Sequence, residues 1–285
     1  MKAAMAFTYA TDLERVKAQP LDERSRYLRG LIFRAIEQGG RGHIGPALSI
    51  VEIIRVLYDD ILRARPTEPK WPGRDRFILS KGHGCLALYA VLADKGFFPA
   101  RELDRFCHFD GILGGHPEVI VPGVEACTGA LGHGLPVAVG MALAARIQGR
   151  DSRIVVLMGD GEINEGSVWE AAACADKHGL GHLVAIIDYN RMQSAGSTYE
   201  IQNMEPLADK WTSFGFEVSE CNGHDVGALR AVLGAAVRQP AKRARLVICH
   251  TVKGKGIPSA ENNPSWHHKS DLTEEVRRAI RGASG

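Results

Sequence analysis

The chain has 285 residues, 45% of them hydrophobic and 24% charged, enough apolar material for one large or two ordinary packed domains. A formal net charge of +2 gives no basis for a nucleic acid or an anionic membrane as partner, since either calls for a basic patch or stripe. The six cysteines (85, 107, 127, 174, 221 and 249) include no C-x-x-C pair, which argues against a zinc site or disulfide framework and for reduced thiols in the cytoplasm.

Residues 1–16 carry one lysine and a broken apolar run ahead of Asp12 and Glu14, too little for a signal peptide, and no long apolar run follows. Residues 1–20 are read as an N-terminal extension. From residue 21 to 38, Leu28, Leu31, Ile32, Ala35 and Ile36 fall at helical spacing, and Gly39-Gly40 stops the run. A second helix is predicted over 48–62, ending before the loop RARPTEPKWPG, and RFILS at 76–80 reads as a short strand. Ala- and Leu-rich runs at 86–95 and 136–146 predict buried helices. Between them, 111–134 is rich in Gly and Pro and predicts functional loops.

Three nearly continuous apolar runs, IVVLMGD at 154–160, LVAIIDYN at 183–190 and RLVICHT at 245–251, have the character of parallel strands covered on both faces. Helices are predicted at 167–178 and 227–238, with a short surface helix in LTEEVRRAIRG. The alternation implies an α/β fold, a mostly parallel sheet flanked by helices. No repeat or linker is seen, so residues 21–285 are read as one domain.

The most informative stretch runs from Gly159 to Asn190. Asp160 ends one predicted strand, a crossover helix follows, and Asn190 ends the next strand. A right-handed βαβ unit puts both strand ends on one edge of the sheet, so two oxygen donors thirty residues apart can share one ion. A carboxylate, an amide oxygen and a backbone carbonyl form a hard set suited to Mg²⁺ or Ca²⁺. Gly159 and Gly161 allow close approach of phosphates, toward which the following helix can point its N-terminus.

This arrangement resembles the signature of thiamine diphosphate enzymes, a G-D-G triplet followed after a crossover by an Asn. The resemblance implies that Asp160, Asn190 and the main-chain carbonyl of Met192 bind the metal. Four histidine clusters, GRGHIG at 40–45, LSKGHG at 79–84, GGHPE at 114–118 and WHHK at 266–269, together with TGALGHG at 128–134 and TVKGKG at 251–256, resemble the N-terminal, cofactor-binding half of transketolase. By that resemblance the fold is the thiamine diphosphate-binding one. His43, His116 and His267 then lie near the reacting carbons and His83 near the diphosphate. Gly129 and Leu131 flank the aminopyrimidine, Asp188 sits close to the thiazolium, and Glu165 holds a family position at the subunit interface. Transketolases cleave a ketose beside its carbonyl and pass a two-carbon ketol unit to an aldehyde, so hydroxyl protons move at several steps, and imidazoles suit that task.

Two loops depart from the family pattern. G-H-P-G stands here as Gly42-His43-Ile44-Gly45, and G-P-L-G-Q-G as residues 129–134 with Ala130 and His133, which bears on the choice of donor and acceptor. After Lys269 only a terminal helix remains, with no space for the second domain that presents a glutamate to the aminopyrimidine, nor for the family's phosphate-binding arginines. The resemblance therefore implies one subunit of a split enzyme, in an α₂β₂ assembly with a partner resembling the C-terminal half of transketolase and with a ketose phosphate as substrate. The alternatives are a 2-oxo acid dehydrogenase-like subunit, or a hybrid that loads a two-carbon unit onto a carrier protein. A degenerate binding subunit would have lost metal ligands or histidines, and none is missing. Lys253-Gly254-Lys255-Gly256 either contacts substrate or diphosphate or is a flexible basic loop.

Overall fold

The computed structural model describes residues 9–282. It contains a five-stranded, wholly parallel sheet in the order β1 (Arg76–Leu79), β2 (Ile154–Gly159), β3 (Leu183–Tyr189), β5 (Arg245–His250), β4 (Glu217–Asn222). The three central strands, β2, β3 and β5, are buried almost throughout, which is why they read as continuous apolar runs. β4 is the strand that the hydropathy pattern missed. It lies at an edge, mostly exposed, and its sequence EVSECN alternates weakly.

Helices cover both faces. On one, α2 (Glu23–Gly39), α4 (Val51–Val56), α5 (Cys85–Asp94) and α10 (Val226–Arg238) pack into a core with Ile32, Ile53, Leu88, Val155 and Val247; on the other, α6 (Gly134–Ile147), α7 (Gly166–Lys177) and α9 (Leu207–Ser213) pack around Ala138, Val156, Ile187 and Trp211. Helix α1 (Tyr9–Ala18) lies within the extension, and Lys255 Nζ donates to its Lys17 carbonyl at 2.6 Å. Short helix α8 (Thr198–Ile201) is closed by a Ser197–Glu200 capping box. The terminal α11 (Glu274–Gly282) buries Val276 and Ile280 and exposes its charges, as a surface helix does. No helix among the described residues is long and apolar enough to cross a membrane.

The single helix expected over 48–62 is three pieces: α3 (Ile44–Leu48), α4 and a π-helical turn at Leu57–Ile61. The break at Ser49-Ile50 has a local cause. Ser49 Oγ donates to Pro46 O at 3.0 Å and to Asp188 Oδ2 at 2.7 Å, drawing the chain into the sheet edge instead of a straight helix.

Candidate functional site

Because all strands are parallel, their carboxyl ends share one edge. Four chain segments meet there: Lys81 after β1, Asp160 after β2, Asn190 after β3 and Lys253 after β5. They line a cavity of about 140 Å³, with His83, Leu131, Gly159, Gly161, Met192 and His267 also on its wall.

Two expected metal ligands and the expected carbonyl are adjacent in the 190–192 turn and across from it. Asp160 accepts from the Gly161 N–H at 2.8 Å and the Arg191 N–H at 2.5 Å. Asn190 Oδ1 accepts from the Met192 N–H at 3.0 Å. Arg191, between them, has φ 64°, so the turn bends sharply and puts both neighbours at the cavity. Helix α7 begins only at Gly166 and none of its residues reaches the cavity; the 3₁₀ turn Glu162–Asn164 stands there in place of the expected helix N-terminus.

Asp188 is buried directly behind the cavity and does not line it. It accepts from Lys81 Nζ at 2.5 Å, Ser49 Oγ, Asn190 Nδ2 at 2.9 Å and Thr251 Oγ1. Burial works against its charge, but the ammonium of Lys81 and these donors outweigh burial and hold its carboxyl below the usual range. Asp160 has no such compensation. Burial, together with the charge of Asp188, pushes its carboxyl up to about 7. A cation at Asp160 would remove that deficit, and the surrounding donors are oxygens, so the residues fit a hard divalent ion.

The same wall fits a polyphosphate. Lys253 Nζ donates to Met192 O at 3.2 Å and Gln193 O at 2.8 Å, and burial beside Lys81 pushes its ammonium down to about 8. Gln193 Nε2 and His267 Nδ1, both on the cavity wall, are buried without a hydrogen-bond partner. Unmatched buried polar atoms on a cavity are places for ligand atoms. The 253–256 loop is therefore no flexible surface element: Lys253 and Lys255 are buried, and Gly254 and Gly256 take φ 83° and 99°, which favour glycine.

The histidines converge. His43 is the hub, with ring centroids 5.5 Å from His83, 5.7 Å from His116, 5.5 Å from His267 and 4.5 Å from His268; His83 and His267 are 5.3 Å apart. His83 and His267 face the inner cavity, while His43, His116 and His268 face a wider outer cleft of about 760 Å³. Burial, then the neighbouring rings of His268 and His116, pushes His43 down to about 4. Burial and Lys253 push His267 down to about 3, and burial with Lys81 holds His83 well below its usual value. These three rings are neutral at pH 7.

Gly129, with φ 150°, passes so close to His116 that a Cβ would lie 3.2 Å from its ring, and Leu131 lies on the cavity wall. The loop between them is tied down by buried Glu162, which accepts from Ser80 Oγ, the Gly132 N–H at 3.0 Å and the Gly159 N–H at 3.1 Å. Glu165 lies outside the cavity, exposed beside Gly132 just before α7. Lys81, Glu162, Gln193 and His268 join the site without having been singled out from sequence. Only Lys81 and His268 carried a signal, as the neighbours of His83 and His267 within quoted clusters.

Residues 22–285 match the family model for the transketolase thiamine diphosphate binding domain. One of the two chains of an apulose-4-phosphate transketolase from Phocaeicola vulgatus is 42% identical over 269 residues, covering 94% of this chain and 95% of that protein. A 6-deoxy-6-sulfo-D-fructose transketolase subunit of a Clostridium species is 40% identical over 91% of this chain and 94% of its own length. Among solved structures, a Pichia stipitis transketolase superimposes with a TM-score of 0.85 at 30% identity, covering 92% of this chain, and the Campylobacter jejuni enzyme with 0.84 at 31%, covering 95%. The chain spans about 40% of the length of these solved transketolases. With its parallel sheet, its strand-end cavity and a match that runs nearly end to end, this chain belongs to the transketolase family, as a thiamine diphosphate binding domain.

Proposed function

We propose that this chain is the thiamine diphosphate-binding subunit of a two-component transketolase, active in the cytoplasm in an α₂β₂ assembly, with residues 21–285 acting as one functional unit. The observation that carries this reading is the ring of five histidines opening onto an oxygen- and lysine-lined cavity. The relatives that are themselves named as transketolase subunits, matched over most of their own length, support it. Asp160, Asn190 and the Met192 carbonyl would hold Mg²⁺ or Ca²⁺, and Lys253, His83, Gly159 and Gly161 would surround the diphosphate. Bound thiamine diphosphate supplies the carbanion stabilisation that lets a ketose break beside its carbonyl.

The chain's own residues handle orientation and protons. Gly129 and Leu131 flank the ring, and Asp188 orients Asn190 and Lys81 from behind. His43 and His267, neutral at pH 7, accept a proton from a substrate hydroxyl and return it to the departing or arriving oxygen, and His116 hydrogen-bonds the same hydroxyls from the outer cleft. Glu165 stands at the surface where a partner seats. The partner supplies the glutamate that activates the aminopyrimidine.

The proposed donor is a ketose carrying an acidic oxyanion, in line with the phosphate and sulfo groups in the names of the two relatives. The acceptor is an aldehyde or, in the hybrid form, a carrier protein, distinguished by assaying a ketose phosphate against pyruvate with each acceptor. Mixing tests the whole reading. The purified chain with thiamine diphosphate and Mg²⁺ should show no ketol transfer, and activity should rise with added partner and saturate at equimolar chains. Full activity of the chain alone would sink it.

A further inference from the structure

The outer cleft has an unbalanced polar lining: Arg41, His43, His108, His116 and His268 share it with one carboxylate, Glu118. Arg41 makes no hydrogen bond or ion pair with any described residue, Glu118 included. Its neighbours differ in this. Arg34 is paired with Asp104 and Arg105 with Asp110, each at 2.5 Å.

The backbone at Arg41 is fixed on both sides. Gly40 closes α2 in the left-handed conformation, φ 67°, its N–H on Ile36 O at 2.9 Å. Gly42 exchanges two backbone hydrogen bonds with Lys269, each 2.9 Å. The same antiparallel bridge sets His43 against His268, rings 4.5 Å apart. A guanidinium, with its rigid fork of donors, thus stands exposed at the cleft, near enough for its charge to oppose protonation of both His43 and His268.

We infer that Arg41 and His268 form an oxyanion subsite that receives the phosphate group of the sugar substrate while the sugar chain runs past His116 to His43. The inference rests on the ketol-transfer reading and adds a specificity determinant to it. A planar fork beside an imidazole matches a tetrahedral oxyanion, and the field that keeps these imidazoles uncharged in the free protein is relieved when a dianion arrives. The subsite lies in this chain, apart from anything the partner contributes.

The experiment uses Arg41→Gln and Arg41→Lys in the assembled enzyme with thiamine diphosphate and Mg²⁺, comparing a ketose phosphate with an uncharged ketose such as erythrulose. R41Q should lower kcat/KM for the phosphorylated donor about 10- to 100-fold, the usual value of a charge-assisted hydrogen bond, chiefly through KM. Turnover of erythrulose should stay within about twofold, and R41K should recover part of the loss. Equal losses on both donors, no loss on either, or failure of R41Q to assemble with its partner would overturn the assignment, the last by making Arg41 an interface residue. A second readout is independent of turnover. Inorganic phosphate added to the chain already loaded with thiamine diphosphate and Mg²⁺ should shift the His268 imidazole resonances in wild type and leave them in place in R41Q. If the wild-type assembly turns over neither ketose, ketol transfer is the reading that fails, and the phosphate titration still decides on Arg41.

Discussion

At the scale of single residues, the site divides into groups that face the cavity and groups that hold them. Asp160 is the residue on which the metal assignment turns, because it is a buried carboxylate that no lysine neutralises by direct contact. Asp160→Ala should leave the fold intact, since its acceptors serve only the two N–H groups of Gly161 and Arg191. It should abolish Mg²⁺-dependent binding of thiamine diphosphate. Changes one layer removed from a metal cost about 10- to 100-fold in affinity, so loss of a direct carboxylate should exceed that. Titration calorimetry with and without Mg²⁺ checks it; binding as tight as wild type would remove Asp160 from the metal site. The motif residues were legible because their types state their chemistry: a G-D-G turn, a strand-end Asn, histidines in clusters. Lys253 and Glu162 were not, since a lysine between glycines reads equally well as a solvated loop, and a glutamate early in a turn reads as surface. Only the convergence of β1, β2 and β5 at one edge buries them, and that convergence is a property of the sheet, invisible in either local sequence.

Among elements, the central strands were readable and the edges of the fold were not. β2, β3 and β5 announce themselves because burial on both faces forces apolar side chains at every position. β4 needs no such pattern, and the α3–α4 break depends on Ser49 reaching Asp188, a contact 139 residues away in sequence. Another long-range tie connects α2, α4 and the lysine loop. Glu52 of α4 accepts from Arg29 of α2 at 2.5 and 3.1 Å and is 2.8 Å from His224 Nδ1; Arg29 Nε donates to Lys255 O at 3.0 Å, and His224 Nε2 accepts from the Val252 N–H at 2.8 Å. Burial alone would raise the Glu52 carboxyl, but the charge of Arg29 and the hydrogen bond with His224 outweigh it and hold it well below the carboxylate range. A depressed folded pKa means the stabilisation is fully present above the unfolded value, about 4.3, and is lost as pH falls from there toward the folded value. Glu52→Gln should therefore destabilise the chain by about 3 to 5 kcal/mol at pH 7, because it strands a buried guanidinium. It should also flatten the decline in stability between about pH 5 and 3. Urea denaturation at several pH values measures both, and an unchanged acid slope would show that Glu52 is not the group being titrated.

For the whole molecule, what the chain leaves uncovered matters as much as what it buries. Phe109, Val119 and Ile120 stand 108%, 58% and 67% exposed, and Phe109 and Ile120 line the outer cleft that begins at His43 and His116. Large apolar side chains grouped beside a catalytic cleft mark a surface awaiting a partner, and aromatic residues dominate the energy of such contacts. On the two-component reading, the partner chain closes over this rim and brings its glutamate to the cofactor. The double change Phe109→Ser with Ile120→Ser should then raise the Kd for the partner at least about tenfold, the effect of losing a modest hot spot. The thermal midpoint of the isolated chain should not fall, because neither side chain contributes buried area to its core. Sedimentation of the mixed chains reads the first quantity and calorimetry of the single chain the second. A fall in thermal midpoint would mean that the rim packs on its own chain. Unaltered association, with the midpoint also unaltered, would move the partner's seat away from the cleft and with it the route by which the glutamate reaches the ring.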